Sequence, residues 1–312
     1  MYKRQTLSLA GCGAGSRSVK LGAAGVGGGY YAFSNAFAQM AVAADEDLEF
    51  EVKATAGSTA NIRLLSDGYI DMAIAQADLV DAAYNGTGVT DKKRYRGYSA
   101  VASLYTEACQ IVVRADSGID SLDDLQGKKV SVGEEESGTQ RNAEQILKMT
   151  GLVESLVDTV NLDYVDAANE LKSGQIDAFF CTAGIQTSVI EELSKECDVK
   201  LIGIDDKCRD RLKSVYGFYT DYTIPAGTYE GQDQDVETLG VRAVLLARDD
   251  MDEEIVEELT GLLFEHSQDI QYSIPLTFQI DESEAVKNVT IPFHDGAKAY
   301  YQKKRIELPA EQ

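Results

Sequence analysis

The chain has no tryptophan, only two histidines, and no pair of cysteines in CxxC spacing. Zinc sites draw on Cys and His at short fixed spacings, so neither a structural nor a catalytic zinc is expected. No run approaches 18 apolar residues, so no membrane-spanning helix is expected. Basic residues are few against the acidic ones, 29 Lys+Arg to 52 Asp+Glu, for a net charge of −23. Such a surface repels phosphate backbones and anionic membrane faces, which removes nucleic acid as an expected partner and favours a soluble monomer. The enzyme signatures GxxxxGK[ST], GxSxG and HExxH are all missing. Gly25-Val26-Gly27 opens like a dinucleotide loop, but Tyr30 stands where the third glycine belongs. His266 falls on a predicted helix and His294 in a tail loop, with no nucleophile placed near either by sequence. The chain is therefore read as a non-enzyme without cofactor or metal. A dehydrogenase built on the Gly25–Gly29 loop is the competing reading.

What is present is ordinary globular material, 312 residues of which 44% are hydrophobic. A chain of that length can bury roughly 75% of its unfolded surface and suggests about two domains. Cys109 and Cys181 lie in apolar, strand-like runs and read as buried, inert thiols. Cys197 and Cys208 either pair outside the cytoplasm or remain free. Near the start, Leu9-Ala10-Gly11-Cys12 resembles a bacterial lipobox, with Cys12 as the lipid anchor and Gly13-Ala14-Gly15-Ser16 as a flexible tether. Signal peptides carry an apolar stretch of about 7–15 residues. Only Thr6 to Gly11 stands for it, so residues 1–17 read as a truncated lipoprotein signal and tether. That places the chain outside the cytoplasm, anchored to the cell membrane through lipid alone, or in the periplasm.

Strands and helices then alternate. Val19–Ala23 predicts a strand, Tyr31–Ala43 a helix, Phe50–Ala54 a strand, Thr59–Asp67 a helix, Met72–Ala75 a strand and Leu79–Ala83 a helix. Tyr98–Leu104 and Cys109–Val113 read as two further strands. The pattern restarts with a short helix Ser121–Leu125 and a strand Val130–Gly133, then a helix from Ser137 to Met149. Strand Val160–Leu162, helix Ala167–Ser173, strand Ala178–Cys181, helix Thr187–Glu196 and strand Lys200–Ile204 follow. Tyr222–Tyr229 is turn-rich, Leu239–Ala247 predicts a strand and Asp252–His266 a helix. One α/β unit set inside another implies two lobes, each a mainly parallel sheet flanked by helices. The first lobe is expected at 18–113 with 216–312, and the second at 114–215. Ligand sites of open α/β sheets lie beyond the carboxyl ends of the strands, so a site is expected in the cleft between the lobes.

Three loops share one chemistry. Gly27-Gly28-Gly29, Gly57-Ser58-Thr59 and Ser137-Gly138-Thr139 each follow a strand and open a helix. Helix N-termini offer unpaired N–H groups to anions, glycine lets a ligand approach the backbone, and hydroxyls add uncharged donors. Each loop taken alone also reads as an ordinary helix cap. Asn61 falls in the first turn of its helix, facing the cleft or capping locally. Gln76 and Asp78 lie beyond the strand Met72–Ala75, and Asp78 reads equally as a cap. Arg63 and Arg141 are candidate carboxylate partners, or solvent-facing helix charges.

These motifs fall in a longer pattern. Gly57-Ser58-x-x-Asn61-Ile62-Arg63-Leu64-Leu65 and Gly68-x-Ile70-Asp71-x-Ala73-x-x-Gln76-x-Asp78 resemble the TAXI family of TRAP-transporter solute receptors. The likeness continues through Leu104-Tyr105-x-Glu107, Ser137-Gly138-Thr139, Gly174-x-Ile176-Asp177, Ala183-Gly184 and Ile224-Pro225-x-Gly227-Thr228-Tyr229. It closes with Ile291-Pro292-x-His294-x-Gly296-Ala297, in the same order throughout. The resemblance implies a type II periplasmic-binding fold. It implies capture of a small carboxylate such as glutamate, glutamine or 2-oxoglutarate, handed to a sodium-coupled TRAP membrane subunit. It implies ligand contacts at Gly28, Gly29, Tyr30, Tyr31, Ser58, Asn61, Gln76, Asp78, Ser137, Gly138, Thr139 and Gly184. Two departures stand out. Ile185-Gln186 follows Ala183-Gly184 where the family often has proline, and Asp295 follows His294 where it often has proline.

Overall fold

Two strands that run the length of both lobes organise the molecule. The computed structural model describes residues 17–88, 92–153, 155–274 and 280–309. The lipobox and Cys12 lie outside the described residues. In chain order, the first lobe opens with β1 (Arg17–Gly22), α1 (Gly29–Ala44), β2 (Leu48–Lys53), α2 (Ser58–Ser66), β3 (Met72–Gln76) and α3 (Ala77–Asn85). β1 pairs in parallel with β2 and β3. β4 (Tyr98–Arg114) then leaves this lobe for the other. The second lobe holds β5 (Lys129–Ser131), α4 (Gly138–Thr150), β6 (Asp158–Val160), α5 (Tyr164–Ser173), β7 (Ala178–Ala183), α6 (Ser188–Glu196), β8 (Val199–Leu201), α7 (Asp206–Val215) and β9 (Thr220–Ile224). β10 (Val236–Arg248) returns, and α8 (Glu253–Glu265), α9 (Ser267–Ser273) and α10 (Asp295–Lys304) close the first lobe.

The described strands form one sheet in the order β2-β1-β3-β10-β4-β7-β5-β6, with β8 on β4 and β9 on β10. Hydrophobic patterning predicts two strands within 98–113, because Thr106-Glu107 interrupts the apolar run. The structure has a single strand of 17 residues, buried at almost every position, Glu107 included. Its first half pairs with the end of β10 in one lobe, and its second half pairs antiparallel with β7 in the other. The β4–β10 register slips between Arg242 and Val244 and again between Leu245 and Leu246. Such irregularities kink and twist a ladder locally, and the first falls beside Glu107, where the chain crosses between lobes.

Each lobe has its own core. In the first, Phe33, Phe37, Leu65, Met72, Tyr98 and Leu263 are among the side chains closed around the sheet. The second lobe is packed on both sheet faces, around Ile111, Val130 and Ile146 on one and Phe179, Leu171 and Ile190 on the other. Tyr219, Ile224, Tyr229, Leu239 and Val241 belong to those second-lobe cores. The chain therefore re-enters the first lobe along β10 and not at Tyr216, where the sequence pattern sets the boundary. The turn-rich stretch around Tyr222 begins as β9, pairing with β10. His294 is not in a loose tail: it is buried, and its Nδ1 accepts the Gly296 N–H at 3.1 Å as the N-cap of α10. Cys109, Cys181 and Cys208 are buried free thiols, and Cys197 is a half-buried one.

Asn61 joins three segments of the first lobe. Its Nδ2 donates to the carbonyls of Ala23 at 2.5 Å and Ile74 at 2.8 Å, and its Oδ1 accepts from the Thr55 hydroxyl at 2.7 Å. Gly22 makes room, since a Cβ there would lie 2.9 Å from Asn61 Oδ1. Asn61→Ala leaves those buried groups unpaired, at about 2–3 kcal/mol of stability. Denaturant unfolding of the variant measures it, and an unchanged midpoint would mean that the β1, β2 and β3 ends need no such tie.

Candidate ligand cavity between the lobes

The carboxyl ends of β1, β3 and β7 and the middle of β4 converge on a cavity of about 40 Å³ between the lobes. That is room for roughly three water-sized groups. The first lobe contributes the loop before α1. Gly28 is its N-cap and has no side chain to occupy the helix end. A Cβ on Gly28 would come within 3.1 Å of the Tyr164 ring from the other lobe. The second lobe contributes the start of α4, where Ser137 Oγ accepts the Gln140 N–H at 2.9 Å. The backbone N–H groups of Gly29, Tyr30, Gly138 and Thr139 have no partner among the described residues. Two helix ends thus present unpaired donors and partial positive charge to one small space.

The third loop is used differently. The N–H groups of Thr59 and Ala60, at the start of α2, donate to the Glu136 carbonyl of the other lobe at 3.1 and 3.2 Å. Glu136 holds that carbonyl in place with a left-handed φ of 65°. Its carboxylate takes both arms of Arg63, at 3.0 and 2.7 Å. Gly57-Ser58-Thr59 is therefore a lobe-to-lobe clasp at its amides, and only Gly57 and Ser58 reach the cavity. Arg63 is a clasp as well, not a ligand's partner. Ser188 Oγ adds a further crossing, to the Gly27 carbonyl at 3.1 Å. The lobes stand closed.

The polar side chains of the cavity form connected sets. Tyr30 OH donates to Glu107 Oε2 at 2.6 Å. Gln76 Nε2 donates across the cleft to Asn142 Oδ1 at 3.0 Å, Asn142 Nδ2 donates to Tyr219 OH at 2.8 Å, and Tyr219 OH donates to Gln145 Oε1 at 2.6 Å. Gln76 Oε1 is buried and has no partner. On the far wall Tyr164 OH donates to the Thr182 carbonyl at 3.1 Å and lies 2.6 Å from Thr139 Oγ1. Burial pushes the Glu107 carboxyl up to about 8, against the opposing pull of hydrogen bonds from Tyr30 and Gln76. Burial likewise raises Asp78 to about 6, while the backbone N–H groups at the start of α3 and Arg141 act to lower it.

Of the residues singled out from sequence, Gly28, Gly29, Tyr30, Ser58, Gln76, Ser137, Gly138 and Thr139 line the cavity. Tyr31, Asn61, Asp78 and Gly184 do not. Tyr31 is half-buried on α1, about 100° round the helix from Tyr30, and its carbonyl accepts from Asn35 Nδ2 at 2.7 Å. Asn61 is spent on backbone carbonyls of its own lobe. The Gly184 carbonyl accepts from the Thr187 hydroxyl. Arg141 pairs with Glu144 along its own helix, at 3.8 Å. Glu107, Tyr164 and Thr182 were missed. For Glu107 and Thr182 the available signal was one polar residue inside a buried apolar strand. Tyr164 offered none, because only the opposition of the two lobes brings it to the cavity. Among the described residues no group of three or more His, Cys, Asp or Glu side chains is placed to hold a metal.

Two outcomes follow. A Cβ on Gly138 would lie 2.5 Å from Gln76 Cδ, so Gly138→Ala wedges the lobes apart. X-ray scattering should then report a larger radius of gyration than for the parent, and an identical curve would mean that Gln76 moves aside. Glu107 takes up its proton near 8 in the fold against an ordinary value of 4.5. The folded state therefore holds a proton that the unfolded chain lacks between those values, and this contribution to stability is lost as pH rises through them. Glu107→Gln should flatten the fall in unfolding free energy from about pH 5 to 8. Parallel curves for parent and variant would refute the assignment.

The arrangement can be set beside known proteins. A protein of Bordetella bronchiseptica RB50 superposes with a TM-score of 0.60 at 15% identity, over 93% of this chain and 98% of that one. The alkanesulfonate-binding protein SsuA of Xanthomonas axonopodis pv. citri, bound to MOPS, gives 0.51 at 13%, over 93% and 94%. An ancestral arginine-binding protein bound to arginine gives 0.51 at 18%, over 82% and 96%. At such identities the likeness shows a common two-lobe α/β fold. Residues 21–304, nearly the whole described chain, match one sequence family, and this protein belongs to that family, the NMT1-like family.

Proposed function

We propose that this protein is an extracytoplasmic solute receptor that closes its two lobes over a small carboxylate-bearing solute and presents the closed form to a membrane transport system. One observation carries the reading. The cavity is enclosed between lobes, rimmed by the open ends of α1 and α4, and holds a buried, unpartnered acceptor in Gln76 Oε1. Unpaired backbone donors suit a carboxylate, and the free amide oxygen suits a ligand N–H or O–H. A solute larger than about three water-sized groups needs the lobes slightly further apart than this spacing. Hinge closure of this kind shifts populations by the difference in affinity between open and closed forms.

The membrane partner is the finer question. The motif order resembles TAXI receptors and favours a TRAP-type subunit. The fold is shared with alkanesulfonate- and arginine-binding proteins, which supports a receptor for an ABC importer or a sensor at least as well. A TRAP membrane subunit encoded beside this gene would favour the first, and an ATPase with its permease the second. The resemblance of Leu9-Ala10-Gly11-Cys12 to a lipobox supports a receptor on the outer face of the cell membrane or in the periplasm.

Thermal unfolding against glutamate, glutamine, 2-oxoglutarate, succinate, malate, aspartate and a neutral sugar tests the reading. A dye is the suitable probe, because the chain has no tryptophan. A ligand at about 100 times its Kd should stabilise by about 2.7 kcal/mol, a rise of several degrees. A shift with a carboxylate and none with the sugar is the expected result. No shift with any carboxylate, after refolding to strip carried ligand, would sink the proposal.

A further inference from the structure

We infer that Glu107 makes the cavity selective for solutes that carry a protonated amine beside their carboxylate, and that such a ligand displaces a proton from it on binding. The inference rests on the receptor reading above and deepens it.

The lining has an imbalance of charge. Among the described residues three carboxyl groups, Glu107, Glu134 and Asp163, border the cavity, and no Lys, Arg or His does. Glu134 and Asp163 reach solvent at the rim, whereas Glu107 is 2% exposed. The groups that act on Glu107 come from every element around it. They are Tyr30 on α1, Gln76 and Asp78 on and after β3, Tyr105 and Cys109 on β4, Tyr164 on α5 and Cys181 on β7. No basic side chain stands among them. An ionised carboxylate buried without a countercharge is costly, so the unliganded cleft keeps the neutral acid. Its elevated proton affinity agrees.

Tyr30 OH donates to one carboxyl oxygen at 2.6 Å, and the neighbouring Gln76 amide acts to favour the charged form. Both arrangements are ready for the ionised form, and only a cation is missing. A ligand ammonium supplies it. The carboxyl O–H bond then breaks, its electron pair stays on Glu107, and the proton leaves to solvent. The ammonium keeps its own protons and donates to the carboxylate. The ligand's carboxylate meanwhile lies against the N–H groups of α1 and α4. A keto acid or diacid of the same length brings no cation, so it leaves Glu107 protonated and forgoes this pair.

The experiment is titration calorimetry at pH 7 in two buffers of different ionisation enthalpy, which counts protons exchanged. The probes are glutamate and glutamine against 2-oxoglutarate and succinate. Glutamate or glutamine should bind with release of close to one proton, and the amine-free acids roughly thirtyfold or more weakly. Glu107→Gln should abolish the proton release and erase most of the preference. The inference is overturned if 2-oxoglutarate or succinate binds the parent as tightly as the amino acids, or if an amino acid binds with no proton release. Either result leaves the receptor reading intact. If none of the probes binds a parent protein that unfolds cooperatively, the cavity reading fails and this inference with it. Proton counting on the parent protein stands even where Glu107→Gln does not fold.

Discussion

Two antiparallel strands carry both lobes. β4 and β10 pair along most of their length, and each contributes one end to either lobe. Backbone hydrogen bonds perpendicular to the strands resist shear, so the lobes cannot slide past each other. Bending at the register slips near Arg242 and Leu245 remains available. The cavity depends on this ladder, because Glu107 lies on β4 opposite Val241, beside the first slip. A carboxyl group at that point sits in the floor of the cleft whichever way the lobes swing.

Direct contacts between the lobes hold the closed form. At the start of α2 the Glu136 carbonyl has already taken the Thr59 and Ala60 amides. The Arg63–Glu136 pair beside it is partly exposed and contributes little by itself. The crossing from Gln76 to Asn142 is buried, and a buried polar contact is far more expensive to break than to leave unformed. Gln76 thus has two duties, one nitrogen on the opposite lobe and one oxygen left for whatever enters. Gly138 permits both, since a Cβ there would lie 2.5 Å from Gln76 Cδ.

The order of elements was legible from patterning, because strands and helices of both lobes bury one face or two and their periods follow. The long β4 was not. Its apolar run breaks at Thr106-Glu107, and a break in a hydrophobic run reads as a loop when only local sequence is available. In the fold the break is the site itself, a carboxyl tolerated inside a strand because it faces a cavity and a tyrosine hydroxyl. His294 misled in the same way. A polar residue near the end of a chain reads as surface, whereas this one caps α10 from a buried position.

The sequence by itself determined which loops could serve as helix-end binding sites, since glycine, serine and threonine before a helix either cap it or leave its first amides open to a ligand. It also determined the acidic, cation-poor character that any ligand must meet. Only the tertiary structure decided which loop opens on the cavity and which clasps, because that depends on what the opposite lobe places against each helix end. Glu136 and Tyr164 are separated from their partners Thr59 and Gly28 by long stretches of chain, and no local pattern encodes the pairing. Asn61 shows the converse: a side chain in the right helix turn for a ligand is committed instead to Ala23 and Ile74, because the strand ends of its own lobe leave buried carbonyls that need a donor.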